Sequence, residues 1–215
     1  MKSGQVTAIY QDKKNRHRYQ VYIDDEFAFD VHEDILIKYH LLKGTYIDET
    51  VGREVLQAEE CHKAYLLALR YLGMRPRTTY QLEQYLVQKG FSEEVASQTS
   101  SRCAAQGYLN DETFARQWVA ERLRNNPRGK YALRMELKQK GLPHEMIGGA
   151  LGEVKQEEEL EAARKFAEKR LRHEVLPLDR SKEQKLLAAL LRRGFTPATV
   201  QTLRRELREG RFSPE

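Results

Sequence analysis

Two carboxylate clusters are the first groups in this sequence that could do chemistry. Asp24-Asp25-Glu26 and Glu157-Glu158-Glu159 each bring three acids together. A pair of acids can hold Mg²⁺ or divide general acid and base work. Position argues against both uses. The first cluster lies between two β-rich runs and reads as a hairpin turn. The second opens a helical stretch, where negative charge complements the helix dipole. The six His are scattered, with none paired at metal-ligand spacing. Cys61 and Cys103 form no CxxC pair, so the expectation is two reduced thiols in a cytoplasmic protein, with no metal centre and no cofactor. Ser100-Ser101 falls mid-helix with no evident base. No G-x-x-x-x-G-K-[ST] loop, G-x-S-x-G elbow or H-E-x-x-H helix is present. The reading is of a protein that is not an enzyme.

The basic residues carry more. Arg75 and Arg77 flank Pro76 in a loop. Arg122, Arg124, Arg128 and Lys130 surround Asn125-Asn126-Pro127, a second loop. Arg134, Lys138 and Lys140 continue onto the next helix, the first two one turn apart. Arg192-Arg193 and Arg204-Arg205-Arg208 follow further on. Net charge is −2 over residues 1–58, +1 over 59–110, +3 over 111–155 and +3 over 156–215, giving +5 in all. The basic excess therefore sits in the back of the chain. It suits contact with phosphate or with an acidic protein surface. The competing reading is a solvated face with intrahelical pairs, such as Glu83 near Lys89 or Glu206 near Arg204. Nearby aromatics are few. Trp118 reads as core, and Tyr131 beside Lys130 reads as packing before base stacking. No helix-turn-helix recognition pattern stands out, so sequence-specific DNA readout is the weaker nucleic-acid hypothesis.

These side chains need a scaffold, and the chain shows two textures. Its 215 residues are 40% hydrophobic and 32% charged, enough apolar material for one core or a few small ones. No apolar run is long enough to span a membrane, and the start lacks a signal-peptide h-region. Residues 1–47 read as a small β-meander with a short helix. Val6, Ala8 and Tyr10 alternate with polar positions, Tyr19 to Ile23 is a second run, and Phe27, Phe29 and Val31 share one face of a third. A helix from about Glu33 to Leu42 stops at Gly44. From Asp48 the pattern is helical to the end. The first helix is long enough to join both parts and stops at Gly73, before Arg75-Pro76.

The helical part repeats. Leu82-x3-Leu86-x2-Lys89-Gly90-Phe91 recurs as Leu133-x3-Leu137-x2-Lys140-Gly141-Leu142 and as Leu186-x3-Leu190-x2-Arg193-Gly194-Phe195, offset by 51 and 53 residues. Two Leu four apart share a helix face, the basic residue sits in the last turn, and Gly takes the left-handed position that ends the helix. Ser92 and Thr196-Pro197 start the helices that follow, and Pro143 fixes the equivalent turn. Each copy has a leading helix: the long one, one from Asn110-Asp111-Glu112, and one from Gln156 to about His173. The expected fold is mainly α: three tandem three-helix repeats in an elongated curved array, preceded by the β-meander/helix segment. The boundaries fall at 48–108, 109–155 and 156–210. Stacked in series, equivalent basic residues could form a positive track for a phosphate backbone.

Arg75-Pro76-Arg77-Thr78-Thr79-Tyr80-Gln81-Leu82 with Lys89-Gly90-Phe91, then Gly107-Tyr108-Leu109-Asn110-Asp111-Glu112-Thr113-Phe114-Ala115, then Leu133 to Gly141, and finally Arg192-Arg193-Gly194-Phe195, resemble the RecX family, regulators of the RecA recombinase. The resemblance covers roughly residues 60–208. Thr78 and Gln81 stand where the family more often has Ser and Glu, and both keep capping capacity. The N-terminal β segment is similar to the extension of longer members. The resemblance implies tandem three-helix repeats, binding along the groove of the RecA–DNA filament, inhibition of its ATPase and strand exchange, and no catalysis. Repeated weak contacts along a filament would add through effective concentration. Electrostatics, not family transfer, selects the contact candidates: Arg75, Arg77, Arg128, Lys130, Arg134, Lys138, Arg192 and Arg193. The expected partners are the RecA nucleoprotein filament and single- or double-stranded DNA, met by a monomer. The alternatives are a sequence-independent DNA-binding protein acting without RecA, and a scaffold for some other protein.

Overall fold

The computed structural model describes residues 3–172, 174 and 178–212. Its strands and helices fall into two compact units. The first comprises residues 1–75 and 82–109, the second residues 76–81 and 110–215.

In the first unit, β1 (Gly4–Gln11), β2 (Arg18–Ile23), β3 (Glu26–His32) and the two-residue β4 (Tyr46–Ile47) form an antiparallel sheet in the order β3-β2-β1-β4. Asp24 and Asp25 both have positive φ, 49° and 64°, as a two-residue hairpin turn requires. The acidic run is therefore turn chemistry. Phe29 and Val31 are buried, but Phe27 is 55% exposed. The register explains this correction to the shared face. Val21 pairs with Phe29 while Tyr22 pairs with Phe27, so Ala28 is an extra residue in β3. Such a bulge turns Phe27 to the opposite face, where its ring meets Tyr22 edge-on at 5.8 Å. A second irregularity between Val6 and Ala8 does the same to β1: Val6 is buried and Tyr10 exposed. The short helix α1 (Glu33–Lys38) follows β3 directly, capped by the His32 ring.

The long helix is α2 (Glu49–Met74), capped by Asp48, whose side chain accepts the Val51 N–H at 2.8 Å. Its first half buries Val55 against the sheet, in a core with Val21, Val31, Ile35 and Leu41. Its second half buries Ala64, Tyr65 and Ala68 against α3 (Thr79–Gln88) and α4 (Glu93–Ala105), with Leu82, Leu86 and Cys103. It ends where Arg75 turns extended before Pro76. One helix thus serves two cores of the first unit.

The second unit holds α5 (Asp111–Asn125), α6 (Lys130–Gln139) and α7 (His144–Gly152) around Phe114, Leu133, Leu137 and Ile147. It also holds α8 (Gln156–Leu171), α9 (Arg180–Arg192) and α10 (Pro197–Arg208) around Ala163, Leu186, Leu190, Phe195 and Leu203. His173, the expected end of the α8 helix, lies outside the described residues. The three tandem three-helix groups and the small antiparallel strand segment are present as the repeat pattern requires. Among the described residues no helix is long and apolar enough to cross a membrane.

Candidate functional site

The repeat motif does two jobs in the second unit. Gly141 and Gly194 both have φ of +81° and end their helices. Both also lie against the start of an equivalent helix one repeat earlier in the chain. A Cβ on Gly141 would fall 2.2 Å from the Tyr80 ring, and one on Gly194 2.3 Å from the Ala132 nitrogen. Hydrogen bonds accompany each approach. The Thr78 hydroxyl donates to the Lys140 carbonyl at 2.6 Å. The Gly129 and Tyr131 N–H groups donate to the Arg193 and Gly194 carbonyls at 3.1 and 3.0 Å. Carboxylates at the start of the leading helices complete the join. Asp111 accepts the Thr79 N–H at 2.9 Å, and Glu159 accepts the Lys130 N–H at 3.0 Å.

This joint decides what the basic candidates do. Lys130 donates its Nζ to the Val154 carbonyl at 2.7 Å. Arg193 lies over the Phe166 ring, 5.3 Å from its centroid. Arg128 pairs with Glu136 at 2.8 Å. Arg77 is half-buried and engaged. These four are held by the fold. Arg75, Arg134, Lys138 and Arg192 are exposed and make no ion pair among the described residues.

Arg134 and Lys138 belong to a continuous surface. With Leu133 and Leu137 buried, the outer face of α6 presents Tyr131, Arg134, Met135 and Lys138 at helical spacing, with Tyr131 60% and Met135 55% exposed. The stripe is particular to α6. The residues equivalent to Arg134 are Glu83 and Leu187, and those equivalent to Lys138 are Val87 and Leu191. At these positions, then, the basic charge does not recur from repeat to repeat.

A cleft of about 520 Å³ in the same unit is lined by Gln81, Trp118, Arg122, Arg128, Glu136 and Lys140, among others. Trp118 is half-buried rather than enclosed in the core. Arg122 and Lys140 lie over its ring, 4.1 and 3.8 Å from the centroid, and its Nε1 donates to Glu136 at 2.8 Å. Cations over an indole face are attracted by its quadrupole. Arg122 stands four residues after Trp118 on α5, a spacing that brings the two side chains to one helix face. Glu136 on α6 and Lys140 at its C-cap come from another part of the chain, and only folding brings them to the ring.

The expected intrahelical pairs give way to tertiary ones. Glu206 takes a two-pronged bond from Arg164, at 2.9 and 2.6 Å. Arg204 and Arg208 both reach Glu183, at 2.7 and 3.0 Å. Glu83 accepts the Ser100 hydroxyl at 2.6 Å. The arginines hold the Glu206 and Glu183 carboxyls below their usual range.

A β-containing module followed by three tandem three-helix groups defines a helical tandem-repeat protein. The comparisons identify which kind. The chain belongs to the RecX family. It matches the regulatory protein RecX N-terminal domain over residues 4–48 and the first, second and third RecX three-helix domains over 64–103, 110–151 and 157–203. It is similar to the regulatory protein RecX of Leuconostoc citreum, 33% identical over 88% of this chain and 71% of the relative. It is 32% identical to that of Bacillus subtilis, over 89% and 72%. A crystal structure of regulatory protein RecX superposes with a TM-score of 0.77 at 28% identity, covering 93% of this chain and 98% of the other. RecX from Lactobacillus salivarius gives 0.64 at 25% identity over 70% and 97%.

Proposed function

We propose that this protein inhibits the RecA recombinase by binding along the RecA–DNA filament and slowing its ATPase and strand exchange during DNA repair. The observation that carries this reading is that all four segments of one regulatory family occur in order along a single chain. The protein acts as a monomer in the cytoplasm and supplies contacts, not catalysis. Arg134 and Lys138 on α6 meet phosphate or an acidic filament surface, with Arg75 and Arg192 as further contacts. The test is RecA ATPase and strand exchange on single-stranded DNA at fixed salt, with the protein titrated well below one copy per RecA subunit. Inhibition in that range supports the reading, because competition for DNA needs far more protein.

The exposed Tyr131, Arg134 and Lys138 stripe favours a second reading, sequence-independent DNA binding without RecA. Salt-sensitive DNA affinity with no effect on the recombinase would put this second reading first.

A further inference from the structure

The six histidines are scattered along the chain, but the first unit brings three of them together. His32, at the junction of β3 and α1, lies 4.3 Å ring to ring from His62 on α2. His17 stacks on His32 at 5.9 Å and binds Glu33 at 2.7 Å. Asp34 lies two residues beyond His32. Its Oδ2 is 3.6 Å from His32 Nδ1 and 3.6 Å from His62 Nε2. One ligand atom from each of His32, Asp34 and His62 lies within 4.8 Å of the other two.

His62 is the independent pointer. Its side chain is 7% exposed, and its Nε2 is buried with no hydrogen-bond partner. A buried ring nitrogen left unpaired is costly and unusual. This one faces a carboxylate too far off for a good hydrogen bond, across a gap that a small ion would fill. Tetrahedral zinc ligands at about 2.0–2.1 Å from the metal stand roughly 3.3 Å apart, close to the 3.6 Å that separates Asp34 Oδ2 from each imidazole.

We propose that His32, His62 and Asp34 form a site for one divalent transition-metal ion of the zinc class. The donor set is two imidazoles and one carboxylate, with the fourth position open to a cleft of about 640 Å³ that Asp34 and His62 line. The surroundings already hold the donors in place. Glu59, 2% exposed, accepts the His32 backbone N–H at 2.8 Å and Arg18 at 2.9 Å. It thereby fixes the strand end carrying His32 against the helix carrying His62. His32 Nδ1 accepts the Asp34 N–H at 3.2 Å, a long cap bond that the ion would replace. Lys38 and Arg102 also line the cleft and oppose a cation. Arg102 is engaged by the Tyr65 ring at 3.7 Å, and Asp34 supplies the compensating charge. A bound ion would pin the β-module to the long helix, joining the two cores that α2 serves.

The test uses the full chain, stripped with chelator and titrated with Zn²⁺ by calorimetry, with Co²⁺ as a spectroscopic probe. The expected result is one ion per chain, a tetrahedral Co²⁺ spectrum, and a melting temperature raised by saturating Zn²⁺. Asp34→Asn, at an exposed position, and His62→Gln should each weaken Zn²⁺ binding by about tenfold or more. Cys61→Ser, in the same cleft, should leave it unchanged. Asp34→Asn keeps the test decisive if His62→Gln misfolds. No uptake by the folded protein overturns the site. So does uptake equal in wild type and Asp34→Asn, which would belong to the other histidines, or uptake lost only in Cys61→Ser.

Discussion

Glu159 accepts the Thr196 hydroxyl at 2.9 Å while itself 2% exposed. The same carboxylate accepts the Thr199 hydroxyl at 2.8 Å and the backbone N–H groups of Thr196 and Lys130 at 3.2 and 3.0 Å. One buried charge on α8 therefore satisfies the starts of both α6 and α10. In a low-dielectric setting it is stable only because its lone pairs are filled by donors. Replacing it with Gln turns one acceptor into a donor that faces other donors. Glu159→Gln is expected to cost about 1–3 kcal/mol, read as a lower urea midpoint with an unchanged slope. Neighbouring Glu157→Gln, at an exposed position in the same acidic run, should change little.

The two roles of the motif glycine can be separated. Gly90 has φ of +94° and nothing within 4 Å of a Cβ position, whereas Gly194 adds the close approach to Ala132. Alanine at either site meets left-handed strain of about 1–2 kcal/mol. Gly194→Ala must also displace backbone, adding roughly 1–3 kcal/mol. Chemical denaturation should therefore rank Gly194→Ala well below Gly90→Ala. Equal losses would mean that the inter-repeat contact carries no energy.

The sequence revealed the repeat because its signals are local. Leucines four apart, a last-turn cation and a terminal glycine each act within one helix and its cap. The β-module was legible in its runs but not in its faces, since the extra residue at Ala28 reverses Phe27 without changing the alternation. The candidate site divides the same way. The exposed face that Arg134 and Lys138 share is legible from the spacing of one helix. The binding of Arg128 to Glu136, of Lys130 to Val154 and of Arg193 to Phe166 is tertiary. The motif cation complements the helix dipole from its place in the last turn, and folding gives it a ring as well.

Acid should loosen the third three-helix group through Glu206 and Glu183. The folded carboxyl of Glu206 titrates below its ordinary 4.5 because Arg164 binds the ionised form. The unfolded chain therefore takes up protons first as pH falls. The stabilisation is complete above the ordinary value and disappears as pH drops through the depressed one. Glu206→Gln should be less stable than wild type at neutral pH, with the gap closing as pH falls below the ordinary carboxyl value. Urea midpoints of the two proteins across that range measure the gap. A gap that widens with acid would mean the pair has the opposite sign.

The exposed and the engaged cations should fail in different ways when removed. Arg134 and Lys138 touch no acid among the described residues, so Arg134→Ala with Lys138→Ala should leave the melting temperature nearly unchanged. If both meet phosphate, single-stranded DNA affinity should fall, and the slope of log K against log salt should shrink by about 1.4 for two lost contacts. Under the proposed function, inhibition of RecA should weaken in step if the same face engages the filament. Arg128→Ala removes a partner of Glu136, which then retains Arg122 and Trp118 Nε1. Its main effect should be on stability, with the salt slope preserved. Should Arg128→Ala flatten the slope while the double variant leaves it alone, the contact surface lies in the Trp118 cleft and not on the outer face of α6.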